Sequence, residues 1–228
     1  MINRLTKSKS RKTALQTGET ATATRGARRN RTAVTTQIEQ LHAADWTFRA
    51  AAATELGKIG GPQAINALCV ALRDSAAEVA REAAIALGVA DYTSAVSSLA
   101  AVVLNADGYY DGTVRTAAAD TLAKLQDRRA VEALLACVRD RIAEVSQAAI
   151  RALGFLGDER AIDSLVGVVR NQNNYYLSSV RETAVEALGR IAVPSAQESL
   201  RVIAADSYID ASVRQAALSA LGAANSTN

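Results

Sequence analysis

The chain has 228 residues, 49% of them hydrophobic but only 4% aromatic, with two cysteines, one histidine and a formal charge of +3. That is enough apolar material for a core packed by Ala, Leu and Val, and too few cysteines for a disulfide framework or a four-ligand metal set. No apolar run approaches the ~20 residues a membrane-spanning helix needs, and the start MINRLTKSKSRK lacks the apolar centre of a secretory signal.

Residues 1–31 carry nine Lys or Arg against one acid, Glu19, so a basic leader precedes a mildly acidic body. This stretch is poor in large apolar groups and is expected to be a flexible, solvated leader. Arg25, Arg28, Arg29 and Arg31 would form its electrostatic end, fit for weak contact with nucleic acid or an anionic surface. A transit peptide has the same composition and remains an alternative. No aromatic is interleaved among these charges, which argues against stacking on single strands.

From Thr32 a helical period takes over. A β-branched or aromatic anchor recurs six times, at Phe48, Val79, Val114, Val145, Val180 and Val213. Ala follows each anchor at plus four and Leu at plus eight, and Gly stands at plus nine in five of the six (Gly57, Gly88, Gly154, Gly189, Gly222; Ala123 in the other). Anchor, plus four and plus eight share one helical face, where Ala lets a neighbouring helix approach closely. The Gly is read as the point where the helix ends and the backbone turns.

Each unit is expected to be a helix pair. First helices are predicted near 33–43, 62–72, 92–104, 127–139, 159–171 and 194–205, and second helices near 46–57, 77–88, 112–124, 143–155, 178–190 and 211–223. Pro62 and Pro194 fall at first turns, where a missing N–H costs little. Asp127 and Asp158 fit the same place as caps. Residues 32–224 thus read as one array and 225–228 as a short tail.

Anchor spacings of 31, 35, 31, 35 and 33 residues reveal a 66-residue superunit of two pairs. RDSAAEVAREAAIALG at 73–88 aligns with RDRIAEVSQAAIRALG at 139–154, and GYYDGTVRTAAADTL at 108–122 with NYYLSSVRETAVEAL at 174–188. The longer inter-helix loops carry Tyr109 and Tyr110 in one superunit and Tyr175 and Tyr176 in the next.

With VRTAAADTL and VRETAVEALGRI on the page, the chain resembles HEAT repeats. The tyrosine loops before Val-Arg and the turn Leu153-Gly154-Phe155-Leu156-Gly157-Asp158 are similar to the bilin-lyase-type HEAT subgroup. The resemblance implies an all-α, right-handed α-solenoid of six HEAT-like helix pairs, whose second helices line the concave surface. It also implies a ladder between a turn Asp (Asp74, Asp140) and an Arg after the anchor (Arg49, Arg115, Arg181, Arg214). The two never occur in one repeat, so the ladder is expected to link adjacent repeats; within the Arg repeats Asp45, Asp111, Ser178 or Asp210 lies close before the anchor.

The stripe at plus two, six and ten from each anchor faces away from the core and is mostly polar. Ile85, Val89 and Phe155 interrupt it, either as a contact patch or as groups buried by curling of the array; Arg151 and Arg190 lie on the same stripe. Tyr109, Tyr110, Tyr175 and Tyr176, with Tyr208 and Trp46, should collect along one edge. One tyrosine of each pair would staple its loop, leaving the other for recognition.

No catalytic set is expected. His42 has no partner histidine, Cys69 and Cys137 sit in apolar patterns of first helices, and no Gly loop could cradle a phosphate. The leading expectation is a cytoplasmic, non-enzymatic scaffold that binds another protein and needs no cofactor. The resemblance implies an alternative, a subunit of a lyase or isomerase handling a bilin on a phycobiliprotein.

Overall fold

The computed structural model describes residues 30–89 and 93–225, and every regular element among them is helical. The helices are α1 (30–40), α2 (Trp46–Ile59), α3 (Pro62–Ala71), α4 (Ala77–Leu87), α5 (Val96–Leu104) and α6 (Gly112–Leu125). They continue as α7 (Val131–Cys137), α8 (Ala143–Leu156), α9 (Ile162–Arg170), α10 (Ser178–Ile191), α11 (Pro194–Ala205) and α12 (Ala211–Asn225). This is the all-α solenoid of six HEAT-like pairs that the repeat predicts. Arg25, Arg28 and Arg29 lie outside the described residues, as do 226–228; Arg31 is exposed in α1, which already includes residue 30.

The second helices stack closely on one another along the whole array, whereas α3 and α5, and likewise α7 and α9, make almost no contact. Tighter spacing in one layer bends the stack toward that layer, so the second helices form the concave side. Anchors Val79, Val114, Val145, Val180 and Val213 are buried with the Ala at plus four. Phe48 is the exception at 59% exposure, because no described pair lies before its own to cover it.

The glycine expectation needs correction. Gly57, Gly154, Gly189 and Gly222 lie inside α2, α8, α10 and α12 rather than at their ends. A Cβ on Gly57 would stand 2.8 Å from Ala86 Cβ, one on Gly154 2.7 Å from Ala187 Cα, and one on Gly189 3.0 Å from Ala220 Cβ. The residue at plus nine is therefore small so that the next second helix can cross it at position plus seven. Only at Gly88 does the helix stop. There plus seven of the next repeat is Thr121, whose buried hydroxyl donates to the Ala84 carbonyl at 2.9 Å.

Three first helices start later than predicted, each preceded by a 3-10 turn at Thr93–Ala95, Arg128–Ala130 and Glu159–Ala161. Asp127 and Asp158 cap two of these turns, accepting from Arg129 N at 2.9 Å and Arg160 N at 3.1 Å.

The Arg–Asp ladder does run between adjacent repeats. Arg49 grips Asp74 with Nε and Nη2 at 2.7 and 2.8 Å, Arg115 Nη2 donates to Asp140, and Arg181 Nη1 to Asp210. Arg115 and Arg181 are buried, and both also donate to a first-helix carbonyl, Val103 at 2.9 Å and Val169 at 2.8 Å. Asp45 and Asp111 have a different task, as N-caps of α2 and α6.

Candidate functional site

On the concave side a shallow groove of about 910 Å³ runs between α4 and α6 and onto the start of α8. Its walls are the plus-two, six and ten positions of two repeats: Arg81 and Ile85 from α4, and Thr116, Asp120 and Lys124 from α6. Ile85 is half-buried and forms apolar floor with Ala117 and Ile142. Ile142 reaches the groove because Gly112 at the start of α6 has no side chain; a Cβ there would meet Ile142 Cδ1 at 3.1 Å. The periodic stripe gave no sign of Ile142, which sits in the turn before α8.

The rim is mixed in charge. Asp120 accepts from Arg151 Nη2 at 3.1 Å, tying α6 to α8 across the stripe. Asp111 is held below the ordinary carboxylate range, chiefly because the Val114 N–H donates to it, with Thr113 adding further hydrogen bonds. The Thr116 hydroxyl oxygen is buried with no hydrogen-bond partner among the described residues. The groove thus offers an apolar strip flanked by Arg81 and Lys124 on one sign and Asp111, Asp120 and Glu144 on the other.

Phe155 and Arg190 form a separate feature farther along the stripe. The Arg190 guanidinium lies 4.3 Å from the Phe155 ring centroid, and the ring stays 48% exposed. Val89, past the end of α4, is exposed and lines no part of the groove.

The tyrosines occupy the inter-helix edge, and both members of each pair are engaged. Tyr110 and Tyr176 pack against the core. Asn105 and Asn171, in left-handed backbone at the ends of α5 and α9, clamp them by their main chain: Tyr110 N to Asn105 Oδ1 and Tyr176 N to Asn171 Oδ1, both 2.8 Å. Tyr109 and Tyr175 are half-exposed and stand edge-on to those rings at 5.1 and 4.9 Å. Their hydroxyls face two carbonyls of the preceding repeat, Arg73 and Asp74 for Tyr109, Arg139 and Asp140 for Tyr175, at 3.1 to 3.2 Å. Tyr208 is free of such packing at 98% exposure, and Trp46 is exposed at the start of α2.

The profile of the family described as HEAT repeats matches residues 3–88, 34–110 and 109–179. The chain belongs to the HEAT-repeat family. Among solved structures, this HEAT protein is similar to the complex of CpcE and CpcF of phycocyanin lyase from Nostoc sp. PCC7120. The identity there is 28% over 82% of this chain and 75% of that one, with a TM-score of 0.58. A designed armadillo repeat protein in complex with peptide (KR)4 matches at 21% identity, 82% and 98% coverage and TM-score 0.54. An engineered protein matches at 24% identity, 85% and 98% coverage and TM-score 0.53. The last two show the shared solenoid fold alone. No curated protein matches significantly.

The HEAT pairs bring no cluster of three or more His, Cys, Asp or Glu into metal-binding proximity among the described residues. Cys137 is buried, and its thiol is pushed up from its ordinary value chiefly by that burial; Sγ donates to the Val103 carbonyl at 3.3 Å. No helix of the described residues is long and apolar enough to cross a membrane.

Proposed function

We propose that this chain is a HEAT-repeat adaptor that holds a protein partner in the concave groove between α4, α6 and α8. The groove carries the reading. It is an apolar strip of Ile85, Ala117 and Ile142 with charges of both signs at its rim, the anatomy of a protein contact with an apolar centre and a polar border. The surface is also built in advance, since ladder bonds and Gly–Ala crossings fix the second helices, so little ordering entropy is lost on binding. Phe155 with Arg190 extends the contact along the stripe. The test is affinity capture with the whole chain and with Ile85→Asp and Phe155→Asp together. A partner bound by the unaltered chain should be lost with the variant, and undiminished capture would contradict the reading.

A second reading is favoured by the likeness to the CpcE–CpcF complex at 28% identity: one subunit of a phycobilin lyase or isomerase, acting on a phycobiliprotein. Fold alone does not decide it. Co-expression with a bilin and an apo-phycobiliprotein separates the two. Covalent pigment or a spectral change supports the lyase subunit; unchanged spectra leave the adaptor.

A further inference from the structure

The internal duplication supplies a comparison within one molecule. Residues 69–110 and 135–176 are 66 apart in sequence, and the turns at 73–76 and 139–142 and the tyrosine loops at 105–110 and 171–176 are built alike. The frame is reproduced closely: the Asn clamp, the two carbonyls under the outer tyrosine hydroxyl, and the edge-on ring pair, at 86° in one copy and 84° in the other.

The charges are not reproduced. In the first copy Arg73 Nη2 donates to Asp107 at 2.9 Å, with the guanidinium 4.9 Å from the Tyr109 ring centroid, so the cation is neutralised by its own loop. In the second copy Arg139 stands at the place of Arg73, but Asn173 replaces Asp107, Arg170 replaces Leu104 and Gln172 replaces Ala106. The loop carboxylate has gone and a guanidinium has been added, while a carboxylate has moved onto α9, where Asp163 replaces Ser97, so at these positions the second copy carries one more positive charge. Among the described residues neither Arg139 nor Arg170 makes an ion pair, and Arg139 lies beside Tyr176.

The place where these cations meet is hollow. Because α7 and α9 are splayed, a cleft of about 500 Å³ opens between them on the convex side. Leu135 and Val166 line it, and Gly167 leaves it wide, since a Cβ there would meet nothing within 4 Å. Arg139, Arg170, Gln172 and Asn173 also line it, while Asp163 is the one carboxylate among its lining residues.

We propose that the α7–α9 cleft is a carboxylate-binding site that takes an acidic segment of a protein partner, whose side-chain carboxylate supplies Arg139 and Arg170 with the negative charge that Asp107 supplies to Arg73 in the first copy. Asp107 shows that this frame accepts a carboxylate at hydrogen-bonding distance from the arginine. A guanidinium donates in a planar fork that matches such a group. The Asn173 and Gln172 amides add neutral donors. This site lies on the first-helix side, apart from the concave groove, and does not depend on the adaptor reading.

The test uses the whole chain and a fluorescein-labelled tetraglutamate peptide, followed by fluorescence anisotropy. The basic leader is identical in every variant, so its contribution cancels from the comparison. Asn173→Asp restores the internal carboxylate and should weaken binding by about fivefold or more; Arg139→Gln with Arg170→Leu should do the same. Asp107→Asn should open the first copy and tighten binding or add a second site. These side chains are at the surface, and unchanged circular dichroism confirms folding. Equal affinity of the unaltered chain and Asn173→Asp would overturn the proposal. So would displacement of the peptide by inorganic phosphate as effectively as by unlabelled tetraglutamate, which would assign the cleft to phosphate.

Discussion

Gly154 and Gly167 are both helical glycines with opposite consequences. A Cβ on Gly154 would press on the backbone of Ala187, which cannot move without shifting α10. Gly154→Ala should therefore destabilise the fold by about 1–3 kcal/mol, the usual result of overpacking. Gly167 has open space around the same position, so Gly167→Ala should stabilise by about 0.5–1 kcal/mol through helix propensity. Urea denaturation of the two variants checks both signs. The ion pairs between repeats divide in the same way between buried and exposed arginines. Arg115→Ala takes the guanidinium away from the Asp140 carboxylate and the Val103 carbonyl in a largely buried setting, and about 3–5 kcal/mol should be lost. Arg73 and Asp107 are well exposed, so Arg73→Ala should cost no more than about 1 kcal/mol.

At the scale of elements, the Asp-x-Arg turns that open α7 and α9 also join repeats. Arg129 donates to the Thr93 carbonyl at 2.8 Å, and Arg160 to Glu132 at 2.8 Å, each reaching back one repeat. The Arg160 guanidinium beside Asp158 is the main reason that its carboxyl is lowered to about 2, with the Arg160 N–H and Arg128 adding to the effect. In the unfolded chain the same carboxyl titrates near ~3.9. Its stabilisation is thus complete above about pH 4 and disappears as pH falls through about 2. Urea midpoints measured down that range should fall for the unaltered chain, and less steeply for Asp158→Asn, which keeps the cap but not the charge. The boundaries of these elements were largely legible, because Leu, Ala and the anchors recur at helical spacing and the prolines mark two first turns. What single positions do was less so. Glycine serves both at helix ends and at close crossings, and only the packing of Gly57 on Ala86 or Gly154 on Ala187 separates the two uses. The ladder partner in the last repeat was also hidden. Asp206 stands 66 residues after Asp140, yet it accepts from Tyr208 N at 2.9 Å while Arg181 turns to Asp210.

For the whole molecule, one asymmetry sets both surfaces. Second helices crowd through their small residues, whereas first helices touch less and α7 and α9 spread apart, and that difference gives a concave groove on one side and a cleft between α7 and α9 on the other. Half of the groove was readable as a stripe with Ile85 out of place. The contribution of Ile142 was not, since it depends on the three-dimensional meeting of a turn with Gly112. The adaptor account rests on the concave side being where a partner sits. Hydrogen–deuterium exchange of the whole chain, alone and with its captured partner, examines this directly. The account predicts slowed exchange in peptides covering α4, α6 and the start of α8. Unchanged exchange across all three, with protection confined elsewhere, would contradict it.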